Sequence, residues 1–368
     1  MIPLRLQANS TTDLPFVMRL NAEARAFQLD LEGQRTPFDG DLIRVSADGA
    51  SYLGPQGAVE IQGATPDEID GDVLLVLPGG RAAQRLIRAN SPHNTFLVTE
   101  RCDQLCLMCS QPPKQHHTDM LPFFEAAALL APKGVTLGIS GGEPLLYKTA
   151  LLPLMQRVLK ERTDLTFHVL TNGQHLEEND LAELGELPRD RVLWGIPLYT
   201  ADAQTHDRIV GKAGAFDRLM ETLPIFCRAG AAIELRTVVM GENARLLPAL
   251  ANFITTHLPF VSSWALMQLE NIGYGRQNWD DLFFDSSVSF APVAEALNIA
   301  RGRGFDAVLY NFPRCTVPAA YRDQAPSTIS DWKRRYLDEC EECSQRALCG
   351  GFFEWYPEDR GFQRLGRL

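Results

Sequence analysis

The sequence lacks the features that would mark a membrane-spanning or nucleic-acid-binding protein. It has no apolar run approaching the ~20 residues that cross a bilayer, no low-complexity tract and no internal repeat. It also has no excess of basic residues, because 35 Lys and Arg face 46 Asp and Glu, for a net charge of -11. Sequence-independent binding to nucleic acid needs a basic protein surface. We therefore expect neither a membrane nor a nucleic acid as partner.

The chain start lacks the basic residues and apolar core of a signal peptide, so we expect a cytoplasmic location. In that reducing compartment, its eight cysteines suggest metal binding rather than disulfides. Cys227 lies in an apolar helical segment and is expected to be a buried small hydrophobe. The other seven form two groups, at positions 102, 106 and 109 and at positions 315, 340, 343 and 349.

Composition divides the chain into three predicted segments. Residues 1–92 alternate turn signals, such as Phe38–Asp41 and Ala47–Gly49, with β-type runs such as Val73–Leu77, which predicts a small β-rich domain. Docking of a leader peptide is a reasonable role for it. Residues 93–310 alternate strands with helices, and residues 311–368 are polar and rich in loops. This last segment has little core of its own, so we expect metal to order it.

The alternating segment predicts six strands, from Thr95–Thr99 to Ser263–Met267, with helices between them. Strand–helix alternation favours a parallel sheet, and six units are too few for a closed eight-stranded barrel. The predicted fold is therefore α/β, a partial (β/α)6 TIM-like barrel. Chemistry in such sheets gathers where strands end. The cysteine loop, Gly141-Gly142-Glu143 and Thr171-Asn172-Gly173 all follow predicted strands.

Cys102, Cys106 and Cys109 have the spacing C-x3-C-x2-C. Three thiolates in one loop can hold three corners of a 4Fe–4S cluster and leave the fourth iron open as a reaction site. The alternative is a structural zinc site, completed by His116 or His117.

The loop resembles the signature of the radical S-adenosylmethionine (SAM) superfamily, and the resemblance extends over roughly residues 93–310. It implies that the open iron binds SAM and that one electron cleaves SAM to methionine and a 5′-deoxyadenosyl radical. It also implies that Met108 lies against the adenine. Gly141, Gly142 and Glu143 resemble the second family motif, which implies that they hold the SAM amino group.

Two further SAM contacts are predicted with an alternative beside each. Asn172 occupies a position where related enzymes often contact SAM, but it also suits a turn in its Asn-Gly pair. Arg236 could meet the SAM carboxylate, or it could form a structural ion pair with Glu234.

Cys340, Cys343 and Cys349, spaced C-x2-C-x5-C, resemble the core of the SPASM auxiliary-cluster segment of peptide-modifying radical SAM enzymes. Cys315 would be the fourth ligand of one auxiliary 4Fe–4S cluster. The full family pattern has more cysteines and two clusters. A zinc site built from the same four thiolates is the alternative.

Several strings together are similar to the His-Xaa-Ser system maturases of the HxsC type. They include Ser91–Thr95, Thr99–Cys102, Cys106–Lys114, Gln268–Gly275 and Cys349–Phe353. The resemblance implies a ribosomally made precursor peptide with His-Xaa-Ser repeats as substrate and a second radical SAM maturase as partner. Reduced flavodoxin or ferredoxin is the expected electron donor. The rival hypotheses are a radical SAM enzyme acting on a small molecule and a zinc-stabilised binding protein without turnover.

Overall fold

The computed structural model describes residues 4–10, 12–22, 39–79 and 82–368. The chain forms two compact units. Unit 1 comprises Met1–Val98, Thr118–Ile139 and Thr149–Phe167, and unit 2 comprises Thr99–His117, Ser140–Lys148 and His168–Leu368. The predicted division into segments 1–92, 93–310 and 311–368 stays a prediction. In the described ranges, no helix is long and apolar enough to cross a membrane.

Unit 1 contains a closed seven-stranded barrel, in the order β1-β5-β4-β3-β2-β6-β7. Its strands are β1 (Arg5–Ser10), β2 (Phe16–Asn21), β3 (Asp39–Ser46), β4 (Gly49–Gly54), β5 (Gly57–Gln62), β6 (Val73–Val76) and β7 (Ala82–Ile87). Closure leaves no open sheet edge. Alternate side chains, among them Leu6, Met18, Tyr52, Ile61 and Leu74, fill a shared apolar core. The predicted β-rich N-terminal region is confirmed.

One of the two predicted turns in this region is wrong. Ala47 and Asp48 form the turn between β3 and β4, as expected. Asp39–Asp41 instead begin β3 and pair with β2, and Phe38 lies outside the described residues. Arg19 of β2 forms an ion pair with Asp39 at 2.8 Å. That cross-strand ion pair stabilises Asp39 within a strand, and this tertiary contact outweighs the turn propensity of the residue.

The rest of the chain is organised around one seven-stranded sheet, in the order β14-β13-β12-β11-β10-β9-β8. The strands are β8 (Asn94–Leu97), β9 (Thr136–Ser140), β10 (Thr166–Leu170), β11 (Val192–Pro197), β12 (Ala232–Val239), β13 (Ser263–Gln268) and β14 (Ala307–Tyr310). Strands β11 to β14 pair in parallel. The predicted partial TIM-like α/β fold is confirmed, and β14 adds a seventh strand. The four residues of β14 are too few to show a clear period in the sequence.

The helices of the chain lie between these strands. They are α1 (Leu121–Leu130), α2 (Lys148–Glu161), α3 (Leu181–Gly185), α4 (Ala203–Val210), α5 (Ala215–Arg228), α6 (Leu247–His257), α7 (Gly273–Gln277), α8 (Trp279–Leu282) and α9 (Ala291–Gly302). The prediction that Cys227 is buried is wrong, because it is exposed. Helix α5 buries Phe216, Leu219, Leu223 and Phe226, a stripe at helical spacing that leaves position 227 outside it.

In unit 2 the two faces of the sheet differ in chemistry. One face carries large buried apolar side chains, including Trp194, Ile233, Leu235 and Trp264. The other face, which we call the inner face, carries Gly195 and Glu234 in one register and Arg236 and Ala265 in the next. Because side chains alternate along a strand, the register that buries the apolar side chains on one face places the polar Glu234 and Arg236 together on the other.

The last part of unit 2 is irregular except for a short antiparallel pair, β15 (Arg334–Arg335) with β16 (Phe352–Phe353). Leu337, Phe352, Tyr356 and Phe362 form a small apolar cluster there, and Cys315 and Cys340 pack against it. The segment therefore has a modest core of its own, larger than its polar sequence suggested.

Candidate active site

The cysteine loop, residues 99–117, follows β8 and is held by backbone hydrogen bonds. The N–H groups of Leu105 and Leu107 donate to the carbonyls of Val210 and Ile209, at 3.0 and 2.9 Å. Those carbonyls belong to the last turn of α4, where the helix itself offers no further N–H donors. Cys102, Cys106 and Cys109 are all partly buried on this loop.

Glycines on two sides let other segments touch the backbone of the loop. A Cβ at Gly142 would collide with the carbonyl of Arg101, and one at Gly141 with that of Thr99. The N–H groups of Gly142 and Glu143 donate to those same segments, to Thr99 and Arg101, each at 2.7 Å. The Gly-Gly backbone therefore lies directly against the cysteine loop, an approach that side chains at these positions would block. Contact of Gly141 and Gly142 with SAM stays a prediction.

Glycine has the same role at the third cysteine of the loop. A Cβ at Gly273 would collide with the carbonyl of Cys109, to which the N–H of Tyr274 donates at 2.8 Å. The Gln268–Gly275 string is thus placed against the third cysteine.

Glu143 is fully buried and its carboxylate is shared among three donors. Its Oε1 accepts from the Leu145 N–H at 2.8 Å and the Thr171 hydroxyl at 2.6 Å, and its Oε2 accepts from the Asn172 N–H at 2.6 Å. Burial raises the pKa of Glu143, and the hydrogen bonds from Thr171, Asn172 and Leu145 oppose that rise. The side chain ties the Gly-Gly loop to the end of β10, so its predicted contact with SAM would share these oxygens.

Asp103, between the first two cysteines, is a functional candidate that sequence reasoning missed. It accepts from Asn172 Nδ2 at 2.9 Å, from His175 Nε2 at 3.2 Å and from Lys212 Nζ at 2.5 Å. Burial alone would raise the pKa of Asp103, but the hydrogen bonds from His175 and Lys212 hold it well below its usual range. An acidic residue inside C-x3-C was the available signal.

Asn172 links these two carboxylates. Its backbone N–H binds Glu143, its side-chain amide binds Asp103, and its Oδ1 accepts from the Gln174 N–H at 3.0 Å. The last bond is the Asx turn that was the alternative reading of this residue. A polar contact with SAM stays a prediction.

The three thiols of the loop lie within electrostatic reach of one another. Burial, with smaller contributions from Glu143, Asp103 and Cys109, raises the pKa of Cys102 to about 11. Burial likewise raises the pKa of Cys106 far above its usual value, and Cys109 and Cys102 add to the rise. Three crowded thiols of this kind stay ionised only with a cationic centre between them, so the donor set fits an iron–sulfur cluster.

The zinc alternative for this loop stays a prediction, as the cluster does. Among the described residues, no group of three His, Cys, Asp or Glu side chains is arranged around one metal position. His117, one of the alternative zinc ligands, is bonded through Nδ1 to the Thr99 hydroxyl at 3.0 Å and stacks on Tyr147, with 3.9 Å between centroids.

Met108 is only 7% exposed and packs in an apolar cluster with Tyr199, Ile209 and Trp279. Its contact with adenine stays a prediction, and little of its surface is open.

On the inner face, Arg236 donates through Nη1 to Glu234 at 2.6 Å. This is the ion pair that was the alternative for Arg236, and a contact with the SAM carboxylate stays a prediction.

The four C-terminal cysteines predicted to act together, Cys315, Cys340, Cys343 and Cys349, line one small cavity. Cys349 is buried, and its sulfur accepts from the N–H groups of Arg314 and Gly351 at 3.3 and 3.4 Å. Burial, helped by the nearby Cys349, raises the pKa of Cys315 to about 11. The structure thus brings together sulfurs that are 34 positions apart in the chain, from Cys315 to Cys349.

Comparison with known families identifies the central part of the chain. Residues 96–254 match the family model described as the radical SAM superfamily. These residues form a radical SAM domain. The domain includes the cysteine loop, the Gly-Gly-Glu motif, Asn172 and Arg236.

The chain is also similar to two curated proteins. One is the antilisterial bacteriocin subtilosin biosynthesis protein AlbA of Bacillus subtilis (strain 168), 27% identical over 45% of this chain and 38% of that protein. The other is the PqqA peptide cyclase of Granulibacter bethesdensis, 23% identical over 66% of this chain and 63% of that protein. The alignments therefore span less than two thirds of either relative.

Among solved structures, Streptococcus suis SuiB bound to S-adenosylmethionine is similar, with a TM-score of 0.48 and 15% identity over 58% of this chain and 49% of that chain.

Proposed function

We propose that this chain is a radical SAM enzyme that modifies a ribosomally made peptide, and that the peptide carries His-Xaa-Ser repeats. The observation that carries the proposal is the loop of three mutually interacting thiols, Cys102, Cys106 and Cys109, inside the radical SAM domain. The two curated relatives are named for the biosynthesis of a bacteriocin and for cyclisation of a peptide, which supports a peptide substrate.

The side chains of the site have separate tasks in this proposal. The three cysteines would hold a 4Fe–4S cluster with one open iron. That cluster would supply the electron for cleavage of SAM to methionine and a hydrogen-abstracting 5′-deoxyadenosyl radical. Gly141 and Gly142 let the main chain approach the loop, and with Glu143 they would hold the SAM amino group. Asp103, with Lys212 and His175, fixes the first half of the loop. Met108 and Asn172 would complete the SAM pocket.

The C-terminal cysteines would hold one auxiliary 4Fe–4S cluster of the SPASM-like kind. Their shared cavity supports this, as do the two N–H groups donated to Cys349, because hydrogen bonds to sulfur tune such clusters. A zinc site built from the same four thiolates is the alternative, and metal analysis of the anaerobically purified protein separates the two.

The proposal extends to partners and compartment. A second radical SAM maturase of the same system would act with this chain, and reduced flavodoxin or ferredoxin would supply the electrons. A cytoplasmic location suits the unpaired thiols, since reducing conditions keep them available to iron.

The deciding experiment is anaerobic reconstitution with iron and sulfide, followed by incubation with SAM, dithionite and a synthetic His-Xaa-Ser repeat peptide. We expect 5′-deoxyadenosine together with a changed peptide mass, and neither product from Cys106→Ala. If 5′-deoxyadenosine forms while the peptide mass stays constant, the peptide assignment is wrong and a small-molecule substrate is favoured. A colourless protein that retains only zinc would contradict the enzyme assignment.

A further inference from the structure

Four polar side chains meet on the inner face of the sheet. Arg236 Nη1 donates to Glu234 Oε1 at 2.6 Å, and the Tyr310 hydroxyl donates to Glu234 Oε2 at 2.8 Å. The Arg236 guanidinium lies over the Tyr310 ring, 5.7 Å from its centroid. His168 Nε2 approaches Glu234 at 3.6 Å, which is too long for a hydrogen bond. We call Glu234, Arg236, Tyr310 and His168 the inner-face cluster.

Gly195 makes this convergence possible. It lies on β11, between the strands that carry His168 and Arg236. A Cβ at position 195 would stand 3.0 Å from both His168 Nε2 and Arg236 Cδ. Any larger residue would press on the two polar side chains, so this glycine leaves the space in which they approach each other.

Stability does not account for the ion pair at the centre of the cluster. Glu234 is 2% exposed, so its charge has lost nearly all contact with water. Removing two charges from water is costly, and well-packed apolar residues of similar volume often serve stability as well or better. The rest of the sheet shows that apolar packing was available, since the opposite face is lined by Trp194, Leu235 and Trp264.

The cluster leaves donors free for a ligand. A guanidinium has five N–H donors. Among the described residues, Glu234 is the only acceptor of a hydrogen bond from the Arg236 guanidinium. The Arg236 side chain is 18% exposed, so a ligand can reach it. The buried Tyr199 hydroxyl lies within electrostatic reach of Arg236 and also of Cys106 and Cys109.

The charge of the cluster indicates the ligand class. Glu234 cancels the charge of Arg236. Burial, and then Arg236, lower the pKa of His168 to about 4, so the ring is neutral near pH 7. Burial, and then Glu234, raise the pKa of Tyr310 to about 12. A site without net charge favours a neutral acceptor, such as an amide carbonyl, over an anion such as the SAM carboxylate.

We propose that Arg236 donates to a backbone carbonyl of the peptide substrate, with Glu234 and Tyr310 as positioning residues that fix the guanidinium. This proposal rests on the proposed peptide-modifying function and names a residue that recognises the substrate. It assigns Arg236 to the peptide in place of SAM.

The test measures two affinities on the anaerobically reconstituted full chain without reductant, so that no turnover occurs. Fluorescence anisotropy gives the dissociation constant of a labelled His-Xaa-Ser repeat peptide in the presence of SAM, and equilibrium dialysis gives that of SAM. We expect Arg236→Gln to weaken peptide binding about 10-fold to 100-fold and to change SAM binding less than about two-fold. Arg236→Lys should restore part of the peptide affinity, and Tyr310→Phe should weaken it about three-fold to ten-fold.

Arg228→Gln is the matched control, because Arg228 is exposed on α5 and pairs with Glu178. It should leave both affinities unchanged. Tyr310→Phe is the variant chosen to test the positioning role. It removes only one hydroxyl, whereas Glu234→Gln would change the buried carboxylate itself and can fail to fold. If Arg236→Gln loses SAM affinity in parallel with peptide affinity, Arg236 is assigned to SAM and the proposal is overturned. Unchanged peptide binding in Arg236→Gln would also overturn it. In both cases the radical SAM function stands. A wild-type chain that binds SAM but not the peptide would overturn the peptide assignment, and this proposal with it.

Discussion

Asp103 accepts hydrogen bonds from two separate segments while it sits between two cysteines of the loop. Its partners are Asn172 and His175, which follow β10, and Lys212, which follows α4. Hydrogen bonds from charged donors to a carboxylate are stronger than those to a neutral acceptor in the same place, because they are charge-assisted. Its role is to hold the backbone between Cys102 and Cys106 in one arrangement.

We predict that Asp103→Asn reduces the iron bound after anaerobic reconstitution and changes the electron paramagnetic resonance signal of the reduced cluster. The amide keeps the shape but loses the attraction to Lys212, a cost of about 1–3 kcal/mol. Asp164→Asn is the control, because Asp164 also pairs with a basic side chain, that of Arg162, but lies in unit 1. Equal iron and identical spectra in both variants would contradict a positioning role for Asp103.

His206 gives the fold a pH dependence of its own. It is 1% exposed, and burial lowers its pKa to about 4 from an ordinary value near 6.5. Between these two values the unfolded chain binds the proton and the folded chain does not, so stability falls as the pH falls through that window. Above the upper value both states are neutral and the contribution is constant.

We therefore predict that His206→Gln loses less stability than the wild type between about pH 7 and about pH 5, by about 2 kcal/mol. The variant has lower stability at the upper pH, since glutamine does not fill the space of the ring. Anaerobic urea denaturation at each pH measures the difference. Parallel pH profiles for the two proteins would show that His206 is protonated in the folded chain.

At the scale of elements, the site depends on how closely three turns approach the cysteine loop. Gly141 and Gly142, which follow β9, touch the start of the loop, and Gly273, at the start of α7, touches its third cysteine. Gly211, at the end of α4, meets the carbonyl of Leu105 in the middle of the loop, where a Cβ would lie at 2.6 Å. The loop is thus shaped by elements that are far apart in sequence.

Gly142→Ala is predicted to prevent cluster assembly. Its Cβ would collide with the carbonyl of Arg101, and a backbone contact cannot rotate away as a side chain can. We expect loss of most of the bound iron and of the visible absorbance after reconstitution. Gly185→Ala is the matched control, because nothing lies within 4 Å of its added methyl group. It should bind iron as the wild type does, and equal loss in both variants would remove the steric explanation.

At the scale of the whole chain, the cysteines separate into two groups of different expected importance. Cys102, Cys106 and Cys109 lie in the radical SAM domain, whereas Cys315, Cys340, Cys343 and Cys349 line a cavity outside it. Loss of a ligand at either place should release iron, but under the proposed function only the first place would hold the open iron that binds SAM.

We predict that Cys106→Ala abolishes 5′-deoxyadenosine formation, while Cys343→Ala keeps some uncoupled formation but loses the modified peptide. Iron analysis should show a partial loss in each variant. Cys227→Ala is the control, since Cys227 is exposed and belongs to neither group. Equal loss of 5′-deoxyadenosine from the first two variants would indicate that the C-terminal cysteines are needed for the fold of the domain.

Local sequence patterns predicted much of the molecule because their causes are local. Strand and helix periodicity gave the partial α/β barrel, and the spacing of three cysteines gave the candidate cluster loop. Cys227 was mispredicted, because an apolar neighbourhood in sequence does not say which side of a helix faces the core. Asp103 was missed, because its partners lie 69 and more positions away.

The sequence by itself determined which donor atoms are available, where strands end and where glycine allows close approach, since these depend on residue type and short-range spacing. Only the tertiary structure decided which groups meet. Glu143 became the acceptor of Thr171 and Asn172, Arg236 paired with Glu234, and Cys315 joined cysteines far along the chain. The physical reason is that strand register and chain crossing bring distant residues within a few ångströms, and no local pattern encodes that distance.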